Sequence, residues 1–115
     1  MPKETSHIKI ELFTLERANE VTDLFHQAVH RIDPLLYTLE QQEAWAPTPP
    51  DYTQWRARLS IKQPWLAMMD NRVAGFIELD ADGYIDCLYT HPDFQQQGVA
   101  SALYEHLITV AELRG

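Results

Sequence analysis

The stretch that most constrains this chain is Tyr84–Gly115, where strand-like alternation runs into a glutamine-rich turn, a glycine and a helical repeat. Across Tyr84-Ile85-Asp86-Cys87-Leu88-Tyr89-Thr90, Ile85, Cys87 and Tyr89 share one face, and Tyr84, Asp86, Leu88 and Thr90 the other. Pro92 fixes its own φ and holds His91 extended, so the strand ends there. After Gly98, Val99, Leu103, Leu107 and Val110 recur at helical spacing, with Ala100 and Ala111 widening the stripe. Ser101, Glu105, Thr109 and Glu112 take the polar side. A strand that turns tightly into a helix leaves several backbone N–H groups without intrahelical partners. Those donors, at the positive end of the helix dipole, suit a phosphate, and Gly98 lets a ligand approach the backbone. The loop is neither the dinucleotide fingerprint G-x-G-x-x-G nor a P-loop ending in Gly-Lys-Ser/Thr.

Gln95-Gln96-Gln97-Gly98-Val99-Ala100 resembles the acetyl-CoA signature of the GNAT superfamily of N-acetyltransferases, [Gln/Arg]-x-x-Gly-x-[Gly/Ala], with Gln95, Gly98 and Ala100 in its fixed positions. Leu88-Tyr89-Thr90-His91-Pro92 is similar to the family's preceding strand and proline. The resemblance implies a CoA site from Leu88, Tyr89 and Thr90 through Gln95, Gln96, Gln97, Gly98, Val99, Ala100 and Ser101. Gln97 stands where many members carry a basic residue, which leaves the backbone donors as the main attraction for pyrophosphate.

A length of 115 residues allows one domain, 1–115. Its 45% hydrophobic and 23% charged residues are ordinary for a globular chain. The formal net charge of −8, with no basic cluster, argues against nucleic acid. It mildly favours cationic substrates such as amines, though acidity also confers solubility. Cys87 is the only cysteine, so no internal disulfide or C-x-x-C motif exists. The N-terminus has no hydrophobic signal region and no apolar run approaches a membrane span, so a cytoplasmic location is expected.

Ile8, Ile10 and Leu12 alternate with Lys9 and Glu11, which predicts a first strand ending near Phe13. Thr14 can cap a following helix whose stripe is Ala18, Val21, Phe25, Ala28 and Ile32, stopped by Asp33-Pro34. His26 and His30 are one turn apart on it, but without a third ligand in a recognisable pattern they read as surface histidines, and no metal is expected. Thr38 and Gln41 form a capping box that starts a short helix at Leu39. The run Ala46–Pro50 is a stiff connector, and Asp51 caps a helix bearing Tyr52, Trp55 and Leu59. Trp65–Met69 and Val73–Leu79, joined by Asp70-Asn71, predict a hairpin, and Ala81-Asp82-Gly83 turns into the last strand. The fold class is α/β (α+β) with a largely antiparallel meander. In family terms it is a GNAT-like mixed sheet, β-α-α-β-β-β-α, lacking the usual C-terminal strands. Family members continue with about 40 further residues of ordinary elements, so the chain reads as either a fragment or a short member.

The resemblance implies direct acetyl transfer from acetyl-CoA to a primary amine of a small molecule or peptide. An amine near a pKa of ~10.4 is mostly protonated at neutral pH, so a general base helps. Asp86 is the candidate base, because an acid inside an apolar strand is costly unless partnered or useful. The other reading of Asp86 is a strand-end carboxylate bonded to backbone or arginine. Tyr84, with Tyr37, is a candidate for a proton relay. Tyr37 and Trp45 fall in the region that lines the family's acceptor site, and Trp45 equally suits packing helices onto the sheet. Cys87 lacks a paired base and reads as structural. The alternative function is a non-catalytic module that keeps the scaffold for CoA binding or protein association. An unpaired last strand with Ile85, Leu88 and Tyr89 at the sheet edge predicts a homo-oligomer.

Overall fold

A computed structural model describes residues 8–79 and 85–114, with Ile85, Asp86 and Arg114 as backbone positions only. Four strands, β1 (Lys9–Leu12), β2 (Trp65–Met69), β3 (Arg72–Leu79) and β4 (Ile85–Thr90), pair in that order, each pair antiparallel. Helices α1 (Ala18–His30), α2 (Leu39–Trp45) and α3 (Tyr52–Lys62) lie between β1 and β2, and α4 (Val99–Arg114) follows β4. Three helices therefore stand between β1 and β2, one more than in the expected order β-α-α-β-β-β-α.

Local chemistry accounts for most boundaries. The Thr38 hydroxyl accepts from Gln41 N at 3.1 Å and the Gln41 side chain accepts from Thr38 N at 2.8 Å, so α2 begins on its capping box. Asp51 accepts from Gln54 N at 2.9 Å and starts α3. Asp70 and Asn71 take φ of 52° and 63°, the left-handed pair that a two-residue hairpin turn requires. Thr14 behaves differently from expectation. Its carbonyl accepts from Arg17 N at 2.9 Å and begins a 3-10 turn, Leu15–Arg17, while its side chain makes no cap. The first turn of α1 is tied down instead by Glu20, which pairs with Arg17 at 2.9 Å and accepts from Val73 N at 2.7 Å.

The sheet separates two apolar clusters. On one face Val21, Leu24 and Phe25 of α1 and Leu59 of α3 pack on Leu66, Val73 and Phe76. On the other, Val99, Leu103 and Leu107 of α4 pack on Ala67, Ala74 and Ile77. Ala100 and Ala111 are exposed and do not widen that stripe; Ala102, His106 and Val110 flank it, half-buried. Leu12 is also exposed, because the chain leaves β1 there and Phe13 turns into the opposite cluster, its N–H donating to Pro64 O at 2.9 Å. Two bulges re-phase the strands. Ala74 is the extra residue opposite Ala67/Met68, and Asp86 the extra one opposite Glu78/Leu79.

Candidate active site

Residues from three helices and β4 enclose a cleft of about 720 Å³ on the α1 side of the sheet. Its floor is Cys87 and Tyr89, which the alternation of β4 turns to that face. Phe25, Trp45, Trp55 and Arg58 form the walls. Phe25 meets Trp55 at 4.7 Å and the Tyr89 ring edge-on at 5.0 Å, a geometry that fixes three rings at once. Burial pushes the Tyr89 phenol above its ordinary range, opposed by a hydrogen bond with Trp45, so the phenol stays protonated across the neutral range. Trp45 is 55% exposed and lines the cleft, and its hydrogen bond with Tyr89 ties α2 to β4. Tyr37 packs half-buried against the α1-side core and is not among the residues that line the cleft.

Beneath the cleft lies a charge pair that sequence reasoning did not identify. Glu78 of β3 is fully buried, and Arg58 of α3 grips it through two hydrogen bonds, Nη2–Oε1 at 2.7 Å and Nε–Oε2 at 3.3 Å. The Cys87 thiol donates to the same Oε1 at 3.4 Å. Arg58 also lies over the Trp55 ring, 5.1 Å from its centroid. A buried carboxylate held bidentately orients the guanidinium that faces the cleft. The signal was present in the sequence: Glu78 interrupts the apolar run Val73–Leu79 just as Asp86 interrupts its own strand.

At the far end of β4 the chain turns through a second 3-10 segment, Pro92–Phe94. His91 N–H donates to Ala74 O at 2.7 Å, and its Nδ1 accepts from Asp93 N at 3.0 Å. Phe94 is buried against the α4 side, beneath the Arg72 guanidinium at 4.8 Å. Arg72 also reaches Asp93 at 3.3 Å. The loop then uses two positive-φ residues, Gln96 at 63° and Gly98 at 84°, before α4 starts. The first bond of the α4 ladder runs from Ala102 N to Gly98 O at 2.9 Å, so the amides of Val99, Ala100 and Ser101 precede it. Gln95, Gln96, Gln97, Gly98, Ala100 and Ser101 are exposed; Val99 is buried as the first core residue of the helix. Gly75 allows this helix start to lie close to β4, since a Cβ there would stand 2.6 Å from Val99 Cγ1 and 2.9 Å from Tyr89 O.

Asp86 occupies the bulge of β4, between the cleft floor at Cys87 and the start of the strand. Tyr84 lies outside the described residues. Leu88 packs toward α4 while Cys87 and Tyr89 face the cleft, so the strand separates the loop side from the cleft side. Among the described strands β4 is an edge, paired with β3 alone.

β4 thus stands between the amide-rich turn that precedes α4 and a cleft on the strand's other face. The chain belongs to the acetyltransferase (GNAT) family, whose model matches residues 26–115. It is 31% identical over 103 residues to the uncharacterized N-acetyltransferase YafP of Escherichia coli (strain K12), a match spanning 90% of this chain and 67% of that protein. The crystal structure of a GCN5-related N-acetyltransferase from Rhodopseudomonas palustris superposes with a TM-score of 0.85 at 30% identity, covering 100% of this chain and 72% of the other. The PaiA N-acetyltransferase of Thermoplasma acidophilum, solved in complex with coenzyme A, shares the fold at a TM-score of 0.76 and 17% identity, over 94% of this chain and 74% of that one.

Proposed function

We propose that the protein transfers an acetyl group from acetyl-CoA to a primary amine of a small molecule or peptide, by direct attack and without an acyl-enzyme. The observation that carries this reading is the position of β4 between two features. On one side is the Gln95–Ser101 turn with its free-ended α4 amides, and on the other the aromatic cleft. The coenzyme A complex of the Thermoplasma neighbour supports the same choice of co-substrate.

The Gln95–Ser101 amides and the N-terminal end of α4 take the pyrophosphate. The edge amides of Leu88–Thr90 hold the pantetheine arm and the acetyl carbonyl. The acceptor amine enters through the cleft beside Trp45, its nitrogen lone pair attacking the thioester carbon while Asp86 takes the proton, directly or through water. The C–S bond then breaks and the thiolate leaves with a proton. Tyr84 belongs to the relay that returns it. Arg58, fixed by Glu78, sets the polarity of the acceptor end. The rest of the β4 edge, outside Leu88–Thr90, is left for a second copy to cover, which makes a cytoplasmic homo-oligomer part of the reading.

The test combines acetyl-CoA-dependent thermal stabilisation with thiol release across an amine panel. Asp86→Asn should lower turnover by about 10²–10⁴-fold while acetyl-CoA affinity holds, with the loss shrinking at high pH where the amine deprotonates unaided. Stabilisation by acetyl-CoA without thiol release from any amine would leave a binding module instead. Neither signal would remove CoA from the reading.

A further inference from the structure

Outside the cleft, three metal-ligating side chains converge from two helices. His26 and His30 lie one turn apart on α1, with rings stacked at 4.2 Å and 27° between their planes. Glu43 of α2 joins them, and one ligand atom from each of the three lies within 4.8 Å of the others. The helical spacing of the histidines was visible in the sequence. The third group was not, because it comes from a separate helix that only tertiary packing brings alongside.

We infer that His26, His30 and Glu43 form a binding site for a borderline divalent transition-metal ion, with Zn²⁺ the natural occupant. Two imidazoles and one carboxylate are the donor types zinc takes, and three protein ligands leave a fourth position for water. Calcium and magnesium favour all-oxygen sets, so the pair of nitrogens disfavours them. Metal–ligand distances of about 2.0–2.2 Å put tetrahedral donors roughly 3.3–3.5 Å apart. His30 Nε2 already stands 3.6 Å from Glu43 Oε2, close to that spacing, and the ligand atoms of all three residues lie within 4.8 Å of one another.

Hydrogen bonds currently hold these donors in place. Thr48 donates its hydroxyl proton to Glu43 Oε2 at 2.7 Å, so His26 Nε2, 2.8 Å from Thr48 Oγ1, must donate to that hydroxyl oxygen. His30 Nε2 faces the Ala46 carbonyl at 2.8 Å and donates as well. Both rings therefore carry their proton on Nε2. Metal binding moves each proton to Nδ1, turns the Nε2 lone pairs onto the ion, and releases Thr48 Oγ1 and Ala46 O. The released segment adjoins Trp45 and Pro47, which line the cleft, so occupancy pins α2 to α1 at the cleft rim.

The untagged full chain, stripped with chelator, is titrated with ZnCl₂ by calorimetry. Imidazole ¹⁵N spectra are followed in the same series. One equivalent is expected to bind, with the His26 and His30 rings switching from Nε2–H to Nδ1–H. His30→Ala and Glu43→Gln should each weaken binding by about 10–100-fold, since even outer-shell losses in zinc sites reach that size. Circular dichroism confirms that each variant is folded, and Glu43, half exposed, can be changed without disturbing the core. Cys87→Ser should bind zinc like the wild type. Undiminished affinity in Glu43→Gln, unmoved ring tautomers, or loss of binding in Cys87→Ser would each overturn the site.

Discussion

Gly75→Ala tests how closely α4 is laid on the sheet. The added methyl would stand 2.6 Å from Val99 Cγ1, 2.9 Å from Tyr89 O and 3.4 Å from Leu103 Cδ1. Val99 and Leu103 are 2% and 0% exposed, so neither can swing into solvent, and Tyr89 O is held by a paired strand. Overpacking a filled core costs about 1–3 kcal/mol, and a backbone atom among the contacts argues against the low end. Replacing glycine returns about 0.4–1 kcal/mol through the unfolded chain, leaving a net loss of about 1–2 kcal/mol. For a domain of this size that is a fall of about 4–8 °C in Tm. The displaced helix start should also weaken acetyl-CoA binding. Calorimetric melts read the first effect and titration calorimetry the second. Val99→Ala removes the closest contact but not the one to Tyr89 O, so the double variant should recover only part of the loss, with a coupling of about 0.5 kcal/mol or more. A Gly75→Ala protein that melts at the wild-type temperature would refute the close seating of α4.

At Gly98 space is open, with nothing within 4 Å of an added Cβ, and φ of 84° is the obstacle. Gly98→Ala should cost about 1–2 kcal/mol by strain and weaken acetyl-CoA binding in titration calorimetry; equal affinity would place the ligand elsewhere. Arg58→Met leaves the buried Glu78 carboxylate without its main partner and should cost about 1–3 kcal/mol in urea melts, discounted because Arg58 is itself 44% exposed. Arg58→Met with Glu78→Leu should restore most of that stability, and a double variant no better than the single would argue against the pair. Burial holds the His91 imidazole below its usual range, with Asp93 and Glu20 pulling up and Arg72 and Arg31 pushing down. The unfolded chain therefore takes up the proton first on acidification. The stability His91 contributes is full above about pH 6.5 and lost as pH falls through that value toward the folded midpoint. An NMR titration should place the His91 midpoint below about 6.5, and a midpoint above it would contradict the Asp93 N–H to Nδ1 bond.

What could be read from the sequence was local chemistry. The capping box at Thr38, the Asp51 cap and the Asp70-Asn71 turn depend on neighbours a few residues away, and each forms as its residues specify. Gly98 announces its positive φ in the same way. Nonlocal partners were not readable. Glu78 could be suspected as an acid in an apolar strand, but that Arg58 from α3 would hold it depends on how the helices cross the sheet. The Asp86 bulge is equally silent, because an extra residue in β4 is defined only against the register of β3. Leu12 follows the alternation of a strand, yet the chain departs the sheet at that residue and leaves it exposed. Trp45 suited two roles, an acceptor-site wall implied by the family resemblance and a packing residue, and only the packing of α2 shows it lining the cleft.

The two clusters on opposite faces of the sheet share no residue, and β4 divides its side chains between them. Substitutions at Phe25, Trp45 or Trp55 therefore reshape the cleft through one core, while the α4 helix start rests on the other. Under the proposed function, drift in acceptor preference and retention of the acetyl donor are mechanically uncoupled. A lineage can exchange one wall of the molecule for a new clientele without renegotiating its coenzyme. In the laboratory the same partition makes the α1–α3 face the rational place for a randomised library, with α4 and its turn left untouched.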